Sequence, residues 1–307
     1  MRPLWRNGPV GHPLGVGAWA WGDRGYWGYG TTYTSEDVAQ AYRASRQAGL
    51  TLFDTAELYG SGHSERLLGQ LVSDNDDRGQ VQIATKFAPW IYRVGRRGVL
   101  LGALEESLAR LQLDHVELYQ IHWSWPLVGD QAWLRDLAEA VRRGLVDAVG
   151  VSNYGSGQLR AAHRTLADLG VPLATNQVQY SLAHRKPEKS GLLQLCADLG
   201  VTIVAYSPLA QGLLTGKYVP GRPPPGIRGL RYRRTLRKIA PVIAQLTEIG
   251  RGHDGRTPAQ VALNWLVSKG TVPIPGAKNA AQAEHNAGGV GWELTADEIV
   301  ALDQIRL

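Results

Sequence analysis

The chain has 307 residues, 44% hydrophobic and 20% charged, with a formal net charge of +6. This composition excludes disordered, collagenous and low-complexity classes and leaves ample chain for a large core. One cysteine, Cys196 on an apolar helical stretch, excludes an internal disulfide, and no apolar run approaches the roughly 18 residues of a membrane span.

Taken in chain order, eight runs read as strands: 16–21, 51–56, 81–87, 116–123, 147–153, 173–181, 202–209 and 271–276. They are near-continuous in apolar residues, as strands buried on both faces are. The segments between them carry helical period. Leu101, Leu104, Leu108 and Leu111 share one face, as do Leu159, Ala162, Leu166 and Leu169. TPAQ (257–260) and TADE (295–298) read as capping boxes, and a glycine repeatedly separates a helix from the next strand.

Eight β/α repeats predict a (β/α)8 TIM barrel, one domain over 1–307. An open doubly wound sheet would need a Gly-rich turn between its first strand and helix. GVGAWA (15–20) fits that pattern but follows Pro13 and runs into Trp21 and Gly22, so it reads as the first barrel strand. The longest interruptions follow strand 1 (22–34) and strand 7, where about 210–236 is expected to be a mobile loop at the cofactor and substrate side. Within 222–238 lie seven Arg/Lys and no acid. That stretch suggests an anion site, and its Pro/Gly content favours a small phosphate ligand over nucleic acid.

The polar residues then fall into a pattern. Asp54, Lys86, His122, Asn153, Gln177, Tyr206 and Ser207 sit in or at the ends of successive strands, with Tyr59 just after strand 2. On a barrel they converge on one rim. Alone, each has an ordinary structural explanation; the shared rim is what turns them into a site. Lys86 beside Asp54 is expected to stay charged, and an ammonium beside Tyr59 is expected to lower its phenol from about 10. Tyr59 then serves as proton donor, with His122 bonding a carbonyl oxygen. Such a site holds no nucleophile and no metal cluster, and it suits carbonyl reduction by an external hydride.

The motifs FDTAELYG, ATKF, YQIHW, VGVSNY, NQVQYS, AYSPLAQGLLTGKY and VPIPGAKNAAQAEHN together resemble the aldo-keto reductases over nearly the whole chain. Within that family the chain is similar to the NADP-dependent branch with pyridoxal-reductase-like members. The resemblance implies that Asp54, Tyr59, Lys86 and His122 form the catalytic tetrad. It implies that Ser152, Asn153 and Gln177 hold a nicotinamide carboxamide and that Tyr206 stacks on its ring. Ser207, Leu209, Gly212 and Lys217 then wrap the pyrophosphate. Gln282 and Asn286 lie on the adenine side, preceded by Gly276 and Lys278. Many members carry Arg where Gln282 stands, which leaves Lys278 as the nearby cation, supplemented by Lys217, Arg228 and Arg231. NADPH is expected over NADH.

Trp is common (10) and Phe rare (2). Six Trp, at 19, 21, 27, 90, 123 and 125, lie at or after strands 1, 3 and 4, and Trp21, Trp90 and Trp123 are expected to wall a pocket for aromatic aldehydes, pyridoxal included. The partner is then a small carbonyl substrate, with neither nucleic acid nor membrane; the oligomeric state stays open. MRPLWRNGPVGHPLG lacks the apolar core of a signal peptide, so a cytoplasmic protein is expected, or a plastid one if a transit peptide precedes it. The alternative function is an NADPH-binding sensing subunit with negligible turnover.

Overall fold

The computed structural model describes residues 2–5, 8, 10–125, 129–224 and 227–306. Eight parallel strands form one sheet in sequential order: β1 (Val16–Gly17), β2 (Leu52–Asp54), β3 (Gln82–Phe87), β4 (Val116–Ile121), β5 (Val146–Ser152), β6 (Leu173–Gln179), β7 (Thr202–Tyr206) and β8 (Val272–Ile274). The ends of the sheet meet. Gly17 bridges Gly276, and the Gly15 and Gly17 N–H groups donate to Pro273 O and Pro275 O at 2.9 and 3.0 Å. The seam requires a residue without a side chain, since a Cβ on Gly17 would lie 2.8 Å from Ile274 O. The motif that resembles a dinucleotide fingerprint is therefore a closing strand.

Helices surround the barrel: α1 (Ser35–Gln47), α2 (His63–Asp74), α3 (Val99–Leu111), α4 (Gln131–Arg142), α5 (Ser156–Asp168), α6 (Lys186–Lys189), α7 (Leu192–Asp198), α8 (Ile227–Arg251), α9 (Pro258–Ser268), α10 (Ala280–Ala287) and α11 (Ala296–Asp303). Both expected capping boxes are present, Thr257 accepting from Gln260 N–H and Thr295 from Glu298 N–H. A third, Thr34 with Asp37, opens α1. Among the described residues no helix is long and apolar enough to cross a membrane.

Two expectations change. The segment 210–236 is not one loop. A 3-10 turn, Ala210–Thr215, follows β7, and α8 begins at Ile227. Leu236, Ile239, Val242 and Leu246 repeat at helical spacing and are buried, so an apolar face continues through the basic stretch. Residues 225 and 226 and the side chains of Arg228 and Arg231 lie outside the described residues. The second change is an unforeseen antiparallel pair, Arg2–Pro3 with Val10–Gly11. It carries Leu4 and Trp5 into the cluster formed by Leu52, Ala84, Leu118, Ala174, Val204, Val272 and Ile274. These close one end of the barrel with apolar packing.

Candidate active site

The polar layer follows from strand geometry. Side chains two apart on a strand share a face. Leu52 and Ala84 belong to the apolar cluster, and two residues onward stand Asp54 and Lys86, both buried. Lys86 is fully buried. Its Nζ donates to Asp54 Oδ1 at 2.5 Å, to Thr55 O at 2.8 Å and to Tyr59 OH at 3.4 Å. Gln177 Nε2 donates to Asp54 Oδ2 at 2.7 Å, so both carboxylate oxygens are held. His122 follows β4, its ring edge-on to Tyr59 with centroids 5.7 Å apart. The four residues expected to act together are thus in one place.

The electrostatics differ from expectation at Tyr59. Its phenol is pushed well above 10, first by burial and then by the Asp54 carboxylate. The lowering expected from Lys86 is absent because desolvation of a phenolate outweighs one ammonium already shared with Asp54. Burial also pulls the Lys86 ammonium down, opposed by Asp54 and then Glu65. His122 falls to about 3 through burial and then the nearby Lys86 charge, so its ring is neutral in ordinary buffers. Its Nδ1 is buried with no hydrogen-bond partner among the described residues.

A cavity of about 590 Å³ opens above these groups, lined by Asp54, Tyr59, His122, Ser152, Asn153, Gln177 and Tyr206 at one end. It continues past Ser207, Leu209, Gly212 and Lys217 to Gly276, Lys278, Gln282 and Asn286. The cofactor residues named from the sequence therefore line one groove, apart from Arg228 and Arg231, whose side chains lie outside the described residues. Asn153 is left-handed (φ 63) and donates through Nδ2 to His122 O and Ser152 Oγ, while Tyr206 OH donates to its Oδ1 at 3.0 Å. Ser207, Ala210, Gln211 and Gly212 all have positive φ, which winds the backbone tightly around the groove. At the far end Asn279 caps α10 by accepting from Gln282 N–H, and Lys278 N–H donates to Gln282 Oε1. Lys278 Nζ donates to Trp27 O at 2.8 Å and lies over the Trp27 and Tyr33 rings.

This donor set fits a nicotinamide dinucleotide. Amide-bearing side chains and a flat phenol occupy the deep end, and Lys217, Lys278 and a helix N-terminus occupy the other, where phosphates are favoured. His122 Nδ1, without a partner among the described residues, leaves polar capacity in the deep end.

The expected pocket tryptophans are corrected. Trp21 is fully buried, its Nε1 donating to Ala277 O at 2.8 Å and its ring packed on Phe53. β1 ends at Gly17, and Trp21 N–H bonds Ala18 O in a turn, which swings the side chain out of the alternation and into the core. Trp90 is exposed and edge-on to Trp123, which packs on His122; neither lines the cavity. The cavity wall is instead Trp19, Trp27 and Leu58, with Tyr26 stacked on Trp19 at 5.4 Å. Parity with Gly17 selects Trp19 and Trp21 alike, so alternation alone does not tell the wall residue from the core one. Three potential metal ligands that spacing did not reveal, His115, Glu117 and Asp147, have donor atoms within 4.8 Å of one another at the opposite ends of β4 and β5. Glu117 Oε2 there accepts from Ile83 N–H.

Residues 13–307 match the Aldo/keto reductase family. The chain belongs to the aldo-keto reductases. It is 41% identical to pyridoxal reductase, chloroplastic, of Arabidopsis thaliana, over 97% of this chain and 84% of that one. An uncharacterized oxidoreductase of Mycobacterium tuberculosis is 42% identical, over 94% and 87%. Among solved structures, an aldo-keto reductase of Klebsiella pneumoniae in complex with NADPH superposes with a TM-score of 0.79 at 28% identity, covering 99% of this chain and 94% of that one. Membership makes this aldo-keto reductase an oxidoreductase of carbonyl chemistry.

Proposed function

We propose that this aldo-keto reductase reduces aldehydes to alcohols with NADPH, with Tyr59 as the proton donor. The observation that carries the reading is the fully buried Lys86, within 2.5 Å of Asp54 and 3.4 Å of Tyr59 OH at the closed end of the cavity. NADPH, when bound, supplies the hydride. Ser152, Asn153 and Gln177 hold its carboxamide, and Tyr206 supports the ring. Ser207, Leu209, Gly212 and Lys217 carry the pyrophosphate, and Gly276, Lys278, Gln282 and Asn286 the adenosine end. The NADPH-bound Klebsiella structure supports that choice of cofactor.

The raised phenol suits reduction. Tyr59 keeps its proton until the carbonyl oxygen becomes alkoxide-like, a base stronger than phenolate. Lys86 Nζ donates to the phenol oxygen and stabilises the charge left there. Asp54 keeps the ammonium in place, and Gln177 keeps Asp54 in place. Neutral His122 offers the substrate oxygen a hydrogen bond without competing as an acid.

Trp19, Trp27 and Leu58 present an apolar wall beside Tyr59, which favours flat aromatic aldehydes. Pyridoxal is the first candidate, since the Arabidopsis relative carries that name. The test follows absorbance at the reduced nicotinamide band with NADPH or NADH against an aldehyde panel including pyridoxal and 4-nitrobenzaldehyde. Oxidation requiring both NADPH and aldehyde is expected. Tight NADPH binding without oxidation across the panel would replace the enzyme reading with the sensing subunit.

A further inference from the structure

Glu57 precedes Tyr59 by two residues, and Ala88 follows Lys86 by two. A side chain joins these flanks. Glu57 Oε1 accepts from the Ala88 N–H at 2.5 Å and from Arg93 Nη1 at 2.5 Å. Arg93 Nη1 also donates to Ala88 O at 3.1 Å, so the guanidinium grips both partners of the contact. The main chain adds a tie, Glu57 N–H to Lys86 O at 3.4 Å. The Arg93 guanidinium lies over the Phe87 ring, 5.2 Å from its centroid, and Trp133 Nε1 donates to Arg93 O. The two charged side chains are only 9% and 16% exposed.

A hidden ion pair is a poor way to gain stability alone, because desolvation cancels much of the attraction and apolar packing would serve as well. What packing lacks is direction. Two charge-assisted hydrogen bonds from donors fixed in the main chain and in a guanidinium locate a carboxylate closely. Tyr59 N–H bonds Ala56 O at 3.0 Å, so Tyr59 rides on the same turn as Glu57. The Tyr59 OH to Lys86 Nζ separation of 3.4 Å is at the long limit of a hydrogen bond, and a small slip between the flanks would break it.

We propose that Glu57 and Arg93 are positioning residues that hold the Tyr59 turn against the strand end bearing Lys86, and so set the proton donor's contact with the ammonium. The inference rests on the reading of Tyr59 as the acid. Glu57 and Arg93 touch neither Tyr59 OH nor Lys86 Nζ; they act through the backbone between.

The test compares Glu57→Gln, Arg93→Lys and Arg93→Met with the parent and with Tyr59→Phe, after thermal melts and NADPH titration by tryptophan fluorescence. Glu57→Gln keeps an acceptor for Ala88 N–H but leaves the guanidinium without its carboxylate. It is expected to lower kcat about 10- to 100-fold, with KM for NADPH and aldehyde held within about twofold. The solvent deuterium isotope effect on kcat should rise as proton delivery becomes limiting. Arg93→Lys should recover part of the loss and Arg93→Met none. Unchanged kcat and isotope effect in Glu57→Gln, with only a lower melting temperature, would overturn the proposal. Should Glu57→Gln not fold, the Arg93→Lys and Arg93→Met pair decides by the same readouts. Full activity in Tyr59→Phe would instead sink the reading of the acid itself, while loss there with no change in the Glu57 and Arg93 variants would sink only this inference.

Discussion

The lower and upper halves of the barrel interior use the same strands for opposite purposes. Below, Leu52, Ala84 and Leu118 pack with Leu4 and Trp5 in a cluster of apolar side chains. Two residues onward, Asp54, Lys86 and Gln120 are equally buried but polar or charged. The lower layer gains from burial, while the upper pays desolvation to keep charges out of water, where they act strongly on a reacting carbonyl. Stability and chemistry are thus separated by one strand repeat, and substitutions can test how clean the separation is.

The largest expected effect is in the upper layer. Tyr59→Phe should lower kcat about 100- to 10,000-fold while the melting temperature and NADPH affinity hold, measured by steady-state kinetics and fluorescence titration. Lys86→Met should cross the divide. It removes the ammonium beside Tyr59 and strands the Asp54 carboxylate, at about 3–5 kcal/mol by denaturant unfolding, with turnover lost as well. Leu118→Ala probes the lower layer alone. A fully enclosed leucine truncated to alanine should cost about 2–5 kcal/mol with kcat little changed; a comparable fall in kcat would show that the layers are mechanically coupled.

A further expected effect is in pH. His122 has its folded pKa depressed to about 3 by burial, below its ordinary 6.5. The unfolded chain therefore binds a proton that the folded chain refuses. The associated stability is complete above pH 6.5 and is lost as pH falls from there towards 3. Denaturant titrations across that range should show the slope, and His122→Asn should remove its share. Turnover should show no acid limb near 6.5 from this residue; such a limb would mean that the ring is charged during catalysis.

Much of this was legible in the residues. Near-continuous apolar runs and glycine punctuation carried all eight strands, because parallel strands buried on both faces leave that pattern. Strand-end polar residues carried the groove, because parity and parallel order force them onto one rim. Trp21 was misplaced because β1 is short and a turn breaks parity at once. The helical start of α8 was hidden by Pro, Gly and Arg, whose local preferences yielded to the buried face at Leu236 and Ile239. The direction of the Tyr59 shift required knowing how completely it is buried. The Glu57 contact with Arg93 spans 36 residues and leaves no periodic trace.

The hairpin that floors the barrel bears on how the protein can be handled. Leu4 and Trp5 are 1% and 3% exposed, so side chains within the first five positions belong to the core. Shortening the chain past Trp5, or letting an aminopeptidase trim it, would uncover the underside of Leu52, Leu118 and Val272 to solvent. The damage would register as aggregation and poor yield, with the catalytic groups untouched in sequence.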